Sequence, residues 1–151
     1  MTLIEVEKQE VLPLLDKMGF ALVELSQSNR RGSLTLHIVI YKEGGVTIDD
    51  CTQVHRALAP RLEVVLAPAD LYIEVSSPGL NRKFKSNREY AAFKGRAVKV
   101  LREDQSEWDC GIIAAADDKS VTLALPEGEE MTISFNVIKK GKIDYERESR
   151  K

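Results

Sequence analysis

Cysteine is scarce in this sequence, and the two that occur, Cys51 and Cys110, lie far apart. They make no CxxC pair and share no metal-ligand spacing with His37 or His55, which argues against a disulfide framework or a zinc module. Buried thiols are the expected reading. Long hydrophobic runs are missing too. Nothing approaches the roughly 20 apolar residues that span a bilayer, so no membrane partner is expected. Met1 to Glu7 has no basic stretch and soon turns acidic, unlike a signal peptide, and a reducing, cytoplasmic location is expected. An excess of one charge sign is also lacking. Lys and Arg total 22 against 24 Asp and Glu, a formal charge of −2, so no global positive field draws the chain to nucleic acid. Any RNA contact must come from a local patch or from proteins already on the RNA. Internal repeats and low-complexity segments are absent. The chain does have ordinary globular composition over 151 residues, enough for one mid-sized domain or two small ones.

The first half reads as helix, strand, strand, helix, strand. Thr2 to Met18 carries Val11, Leu14, Leu15 and Met18 at helical spacing, and Gly19 suits a left-handed helix end. Pro13 predicts a kink or two short helical pieces. Phe20 to Ser26 and Leu34 to Tyr41 read as strands; in the second, Leu34, Leu36, Ile38 and Ile40 share one face. The polar connection Gln27 to Ser33 signals a hairpin. Thr47 followed by Asp50 predicts a capping box, opening a helix with Cys51, Val54, Leu58, Leu62 and Val65 as its apolar stripe and Pro60 as a bend. After Ala67 to Asp70, Leu71 to Ser76 reads as a third strand. The layout is α+β, with the helices on one sheet face.

The second half changes character. Ser86 to Phe93 predicts a short helix capped by Ser86 or Asn87. Short strands follow at Ala97 to Arg102, Trp108 to Ala115, Ser120 to Leu125, Glu130 to Ser134 and Lys142 to Tyr145, with a turn at Lys140-Gly141. Five short strands at this spacing predict a small closed β-barrel. The domains are expected at 1–88 and 89–151, and Tyr145 to Lys151 as a frayed end.

No catalytic constellation emerges. Ser76-Ser77-Pro78-Gly79 does not match G-x-S-x-G, and neither histidine has a sequence partner. His37 fits a partly exposed strand position and His55 an exposed helix position. Asp49-Asp50 fits a cap and Asp117-Asp118 a turn better than a metal site. No phosphate-binding loop, Rossmann glycine pattern or EF-hand loop occurs, so neither an enzyme nor a cofactor or metal is expected. Basic residues do cluster: Arg82, Lys83, Lys85 and Arg88 surround Phe84, and Arg30-Arg31 occupies the hairpin tip. Such groups can neutralise phosphates, and an interleaved aromatic can stack on a base; a solvated linker explains the same charges. Trp108 is expected in a barrel core. In Glu74 to Arg82, Pro78 and Gly79 suit a type II turn, with Ser76 and Ser77 tying it down.

Four ordered motifs carry a resemblance. They are Glu74-Val75-Ser76-Ser77-Pro78-Gly79-Leu80 followed by Arg82; L-x-x-M-G-F-x-L-V-x-L from Leu15 to Leu25; I-D-D-C-x-x-V-x-R-x-L from Ile48 to Leu58; and W-x-x-G-x-I from Trp108 to Ile113. Together they resemble the bacterial RimP family of ribosome maturation factors. Asn81 stands where that signature has aspartate and Lys83 where it has proline, making the loop more basic and favouring phosphate contact by Arg82 over an internal acid pair. The resemblance implies a KH-like first domain and an SH3-like or Sm-like second barrel. It also implies non-catalytic assembly of the small (30S) ribosomal subunit, by binding free or immature subunits, small-subunit rRNA and a ribosomal protein near the decoding centre.

On this reading Arg30, Arg31, Arg82, Lys83, Lys85 and Arg88 touch rRNA phosphates. Glu127, Glu129 and Glu130 offer an acidic stretch to a basic ribosomal protein, and the chain works as a monomer. Two rivals differ in class. A general single-stranded RNA-binding module rests on the domain pair, although no GXXG clamp is present; binding to short RNA without any particle distinguishes it. A hydrolase using Ser76 or Ser77 requires an activity that Ser77→Ala abolishes.

Overall fold

The computed structural model describes residues 2–66, 70–79 and 82–144. Leu80 and Asn81 of the signature, residues 67–69 and the Tyr145 to Lys151 segment lie outside the described residues. The chain divides into two compact units, Met1–Pro78 and Gly79–Lys151.

The first unit opens on a capping box. Thr2 Oγ1 accepts the Glu5 amide and the Glu5 carboxylate accepts the Thr2 amide, both at 3.2 Å. Helix α1 (Leu3–Val6) widens into one π-helical turn (Glu7–Val11) and tightens into α2 (Leu12–Met18). The disturbance expected from Pro13 takes this form. A proline ring crowds the carbonyl four residues back, and the wider turn makes room for it. Gly19, at φ 87°, ends α2 in the left-handed region.

Strands β1 (Ala21–Arg30) and β2 (Ser33–Tyr41) pair in antiparallel register from Ala21 opposite Tyr41 to Arg30 opposite Ser33. The long polar connection expected here is thus mostly strand, and the turn is only Arg31-Gly32. Both residues have positive φ, 47° and 85°, the backbone of a type I′ turn. Its twist matches the twist of the paired strands, which lets the ladder run to the tip.

Helix α3 (Ile48–Leu66) begins at the expected cap. The Thr47 amide donates to Asp50 Oδ2 at 2.9 Å and the Asp50 amide donates to Thr47 Oγ1 at 3.0 Å. The Thr47 backbone bond, more than the nearby Lys42, holds the Asp50 carboxyl below its ordinary range. The helix continues through Pro60 and returns the chain to β3 (Asp70–Ser76), which lies parallel to β2 in a sheet of order β1-β2-β3. Val54, Leu58 and Leu62 of α3 pack with Leu36, Ile38 and Ile40 of β2 and with Val11 and Leu15. Burying one such side chain stabilises by about 1.5–3 kcal/mol. Cys51, at the rim of this core, is half-buried rather than buried, as is Cys110 in the second unit.

The second unit holds α4 (Arg88–Ala92), β4 (Ala97–Arg102), β5 (Asp109–Ala116), β6 (Ser120–Ala124), β7 (Glu130–Ser134), a 3-10 turn (Phe135–Val137) and β8 (Ile138–Ile143). The strands form an antiparallel sheet of order β7-β6-β5-β4-β8. Among the described residues no β7–β8 ladder closes it, so the expected closed barrel is an open five-stranded sheet. Its register shifts at Leu101/Arg102 and Ile113/Ala115 are of the kind that bend a strand locally. The edge left by β7 is short, with Glu130, Thr132 and Ser134 exposed, and a short polar edge tolerates solvent.

Two further expectations change here. Strand β8 starts at Ile138, so Gly141 is no turn. A Cβ there would run into the Tyr90 hydroxyl and lie 3.1 Å from Phe84 Cδ2; glycine is needed for this close approach. The α4 cap is not made by Ser86 or Asn87, since Asn87 forms no side-chain capping bond. Glu89, in the first turn, instead accepts the Lys85 and Ser86 amides just before the helix.

Candidate nucleic-acid interface

Glu89 is completely buried. Its Oε1 accepts Arg82 Nε at 2.8 Å, while Oε2 accepts the Lys85 amide at 2.7 Å and the Ser86 amide at 2.9 Å. The Arg82 side chain is 11% exposed. Further along, the Phe84 amide donates to the Gly141 carbonyl at 2.8 Å and the Ile143 amide to the Arg82 carbonyl at 3.0 Å. Lys83 forms an antiparallel bridge with Lys142. Residues 82–88 therefore bond into the second unit, although sequence reasoning set the domain division after them. The expectation that Arg82 turns outward because Asn81 replaces an acid is not met. Glu89, seven residues on, supplies the carboxylate. Lys83, Lys85 and Arg88 are exposed.

Phe84 is not available as a base-stacking ring. It stacks on Phe93 at 5.4 Å and meets Tyr90 edge-on at 4.7 Å, and Tyr90 in turn contacts Phe135 at 5.3 Å. Tyr90 and Phe84 of this cluster pack against Gly141 of β8. Burial first, and the Glu89 carboxylate second, push the Tyr90 hydroxyl up to about 12.

The signature loop also departs from expectation. Gly79 does not take a positive φ. The Arg82 amide instead donates to the Gly79 carbonyl at 3.2 Å, which moves the turn bond past Pro78-Gly79. Ser76 and Ser77 are exposed, and among the described residues neither hydroxyl makes a hydrogen bond. In the first unit, His37 Nδ1 lies 2.8 Å from Glu74 Oε2 across the β2–β3 pair and its Nε2 lies 3.5 Å from Ser28 Oγ. His55 is exposed on α3, and Asp117 Oδ1 accepts the Lys119 and Ser120 amides at 2.8 Å each, shaping a turn.

Arg30 and Arg31 stand exposed at the hairpin tip. Among the described residues, Arg31 alone combines a side chain with positive φ. A non-glycine residue in that region costs about 1 kcal/mol, so this cation is kept in place against a conformational cost. Glu127 and Glu129, between β6 and β7, and Glu130, the first residue of β7, are exposed.

Sequence reasoning missed a third basic group. Lys139, Lys140 and Lys142 line a cleft in the second unit with Lys83 and Trp108. Trp108 is half-buried rather than in the core, and Lys142 Nζ lies 5.2 Å from its ring centre. The signal was present as three lysines in four positions, but reading Gly141 as a turn divided them.

The class defined by fold and surface is a two-unit α+β protein presenting separate basic groups. Among the described residues, no three His, Cys, Asp or Glu side chains gather as metal ligands, and no helix is long and apolar enough to cross a membrane. Residues 10–81 match the family model described as the RimP N-terminal domain. The chain therefore carries a RimP N-terminal domain, the domain of a family of ribosome maturation factors.

Proposed function

We propose that this protein acts in maturation of the small ribosomal subunit, binding free or immature subunits in the cytoplasm as a monomer and without catalysis. The observation that carries the reading is the RimP N-terminal domain over residues 10–81. The hairpin tip supports it, because Arg31 holds its charge at the end of a tight turn despite the unfavourable φ.

In this reading Arg30, Arg31, Lys83, Lys85 and Arg88 contact rRNA phosphates. Arg82 serves instead to hold the 82–89 segment in place through Glu89. Glu127, Glu129 and Glu130 face a basic ribosomal protein near the decoding centre. The finer fold assignment is part of the proposal. The helix-strand-strand-helix-strand order with β3 parallel to β2 supports a KH-like first unit. A meander whose last strand returns beside its first, across a 3-10 turn, supports an SH3-like or Sm-like second unit.

The test is a gradient profile of cells lacking the protein. Excess free subunits carrying unprocessed small-subunit rRNA are expected, restored by the wild-type chain and less well by Arg30→Glu/Arg31→Glu. A normal profile would refute the proposal.

A further inference from the structure

We infer that the outer face of the second unit's sheet, around Trp108, is a binding site for single-stranded RNA. The inference deepens the function proposed above by naming an RNA contact outside the matched domain.

The register of the sheet assembles the charges. Lys142 pairs directly with Lys99 on one side and bridges to Lys83 on the other. Directly opposed residues project to the same face of a sheet about 5 Å apart, so three lysines stand in one row. Lys140, two positions from Lys142 on β8, shares that face. Strict alternation would send Lys139 to the other side. The register shift between Leu101, opposite Lys140, and Arg102, opposite Ile138, makes Lys139 the extra residue of a bulge, and bulges re-aim side chains. Lys139 thereby joins Lys140 in lining the cleft.

Like charges directly opposed across strands destabilise a sheet, and this sheet opposes them twice. Among the described residues, none of Lys83, Lys99, Lys139, Lys140 and Lys142 lies within ion-pair distance of a carboxylate. The neighbouring arginines contrast with them: Arg82 is held by Glu89 and Arg102 by Asp109, each at 2.8 Å. Arginine here joins the structure together, while Lys83, Lys139 and Lys140 stand exposed and Lys99 and Lys142 are half-buried. A polyanion along the row would relieve the repulsion.

Trp108 narrows the choice of polyanion. It immediately precedes β5 in a cleft of about 340 Å³ with Lys83, Lys139, Lys140 and Lys142. An indole among phosphate-binding cations matches the platform-and-groove arrangement that holds single strands, in which bases stack on aromatic rings and lysines track the backbone. A duplex keeps its bases stacked inside and offers the indole nothing. An acidic peptide would use the lysines but leave the indole without a stacking partner.

The test uses the full chain and a labelled short oligouridylate, read by fluorescence anisotropy across a salt series. Saturable binding, tighter than to a duplex of equal length or to polyglutamate, is expected. Lys140→Glu/Lys142→Glu should lower the slope of log affinity against log salt by about 1.4, at about 0.7 per phosphate contact on a single strand. Trp108→Ala should weaken binding about tenfold, and Trp108→Phe should retain most of it. Far-UV circular dichroism checks folding, and Lys140→Gln/Lys142→Gln serves where the reversal does not fold. Equal affinity for duplex, tighter binding to polyglutamate, or indifference to these substitutions would overturn the inference. Sedimentation of the same variants with free small subunits separates the two readings. Wild-type chain that follows subunits yet fails to bind the oligonucleotide overturns this site alone.

Discussion

Replacing Glu89 should unfold the second unit at much lower denaturant, and the ranking of replacements follows from which acceptor each removes. One carboxylate oxygen takes Arg82, and the other takes two backbone amides. Glu89→Ala deletes both. Removing one partner of a buried ion pair costs about 3–5 kcal/mol. Because the Arg82 side chain keeps 11% exposure, the low end, about 3 kcal/mol, is expected. Glu89→Gln preserves shape, but its amide nitrogen must face either the guanidinium or the two amides. Buried donors left without an acceptor cost about 1–3 kcal/mol, so about 2 kcal/mol is expected. Arg82→Met should cost less than Glu89→Ala, because the Lys85 and Ser86 amides still hold Glu89. Trp108 is the sole tryptophan and lies in the second unit, so its fluorescence in urea reports on that unit. With a slope of about 1.5 kcal/mol per molar, Glu89→Ala should lower the midpoint by about 2 M. A shift under about 0.5 M, or Arg82→Met costing more than Glu89→Ala, would refute this account of the network.

Three further outcomes are expected. Gly141→Ala should destabilise the second unit by about 1–3 kcal/mol through overpacking, and Tyr90→Phe should recover part of that loss in the double variant, measured by the same urea transitions. The Tyr90 hydroxyl, pushed up to about 12, has an unfolded value of about 10. The unfolded chain therefore releases this proton first, and the corresponding stability is present below about pH 10 and declines as pH rises toward 12; an alkaline titration of unfolding should lose this component in Tyr90→Phe. Arg31→Gly should leave the first unit equally stable or more stable by up to about 1 kcal/mol, since it removes a left-handed non-glycine residue at some cost in unfolded-chain entropy. Calorimetry reads that gain, and subunit association should weaken in the same variant.

Features set by neighbours in sequence were legible before the structure. The Thr47–Asp50 capping box, the Gly19 helix end and the stripe of Val54, Leu58 and Leu62 all depend on spacings of three or four residues, which a sequence displays directly. What depends on residues brought together from afar was misread. Gly141 resembled a turn because nothing in its own segment announces Tyr90 against it. Glu89 was not singled out, because its burial depends on Arg82 and on amides just outside α4. Trp108 looked like core because its cationic surroundings come from β8 and from Lys83. The hairpin cations Arg30 and Arg31 were legible as a pair, but their two-residue turn was not, since polar strand ends and loops share a composition.

The central claim is that this chain recognises the small subunit through exposed cations on an otherwise balanced protein. Its most direct test is sedimentation of the purified chain with purified free small subunits across a salt series. The account predicts that the wild-type chain follows the free subunits, and that Arg30→Glu/Arg31→Glu weakens association and reduces its salt dependence by about 2, at about 0.9 per phosphate contact. A wild-type chain that stays at the top of the gradient at low salt, or a variant that sediments identically at every salt concentration, would contradict it.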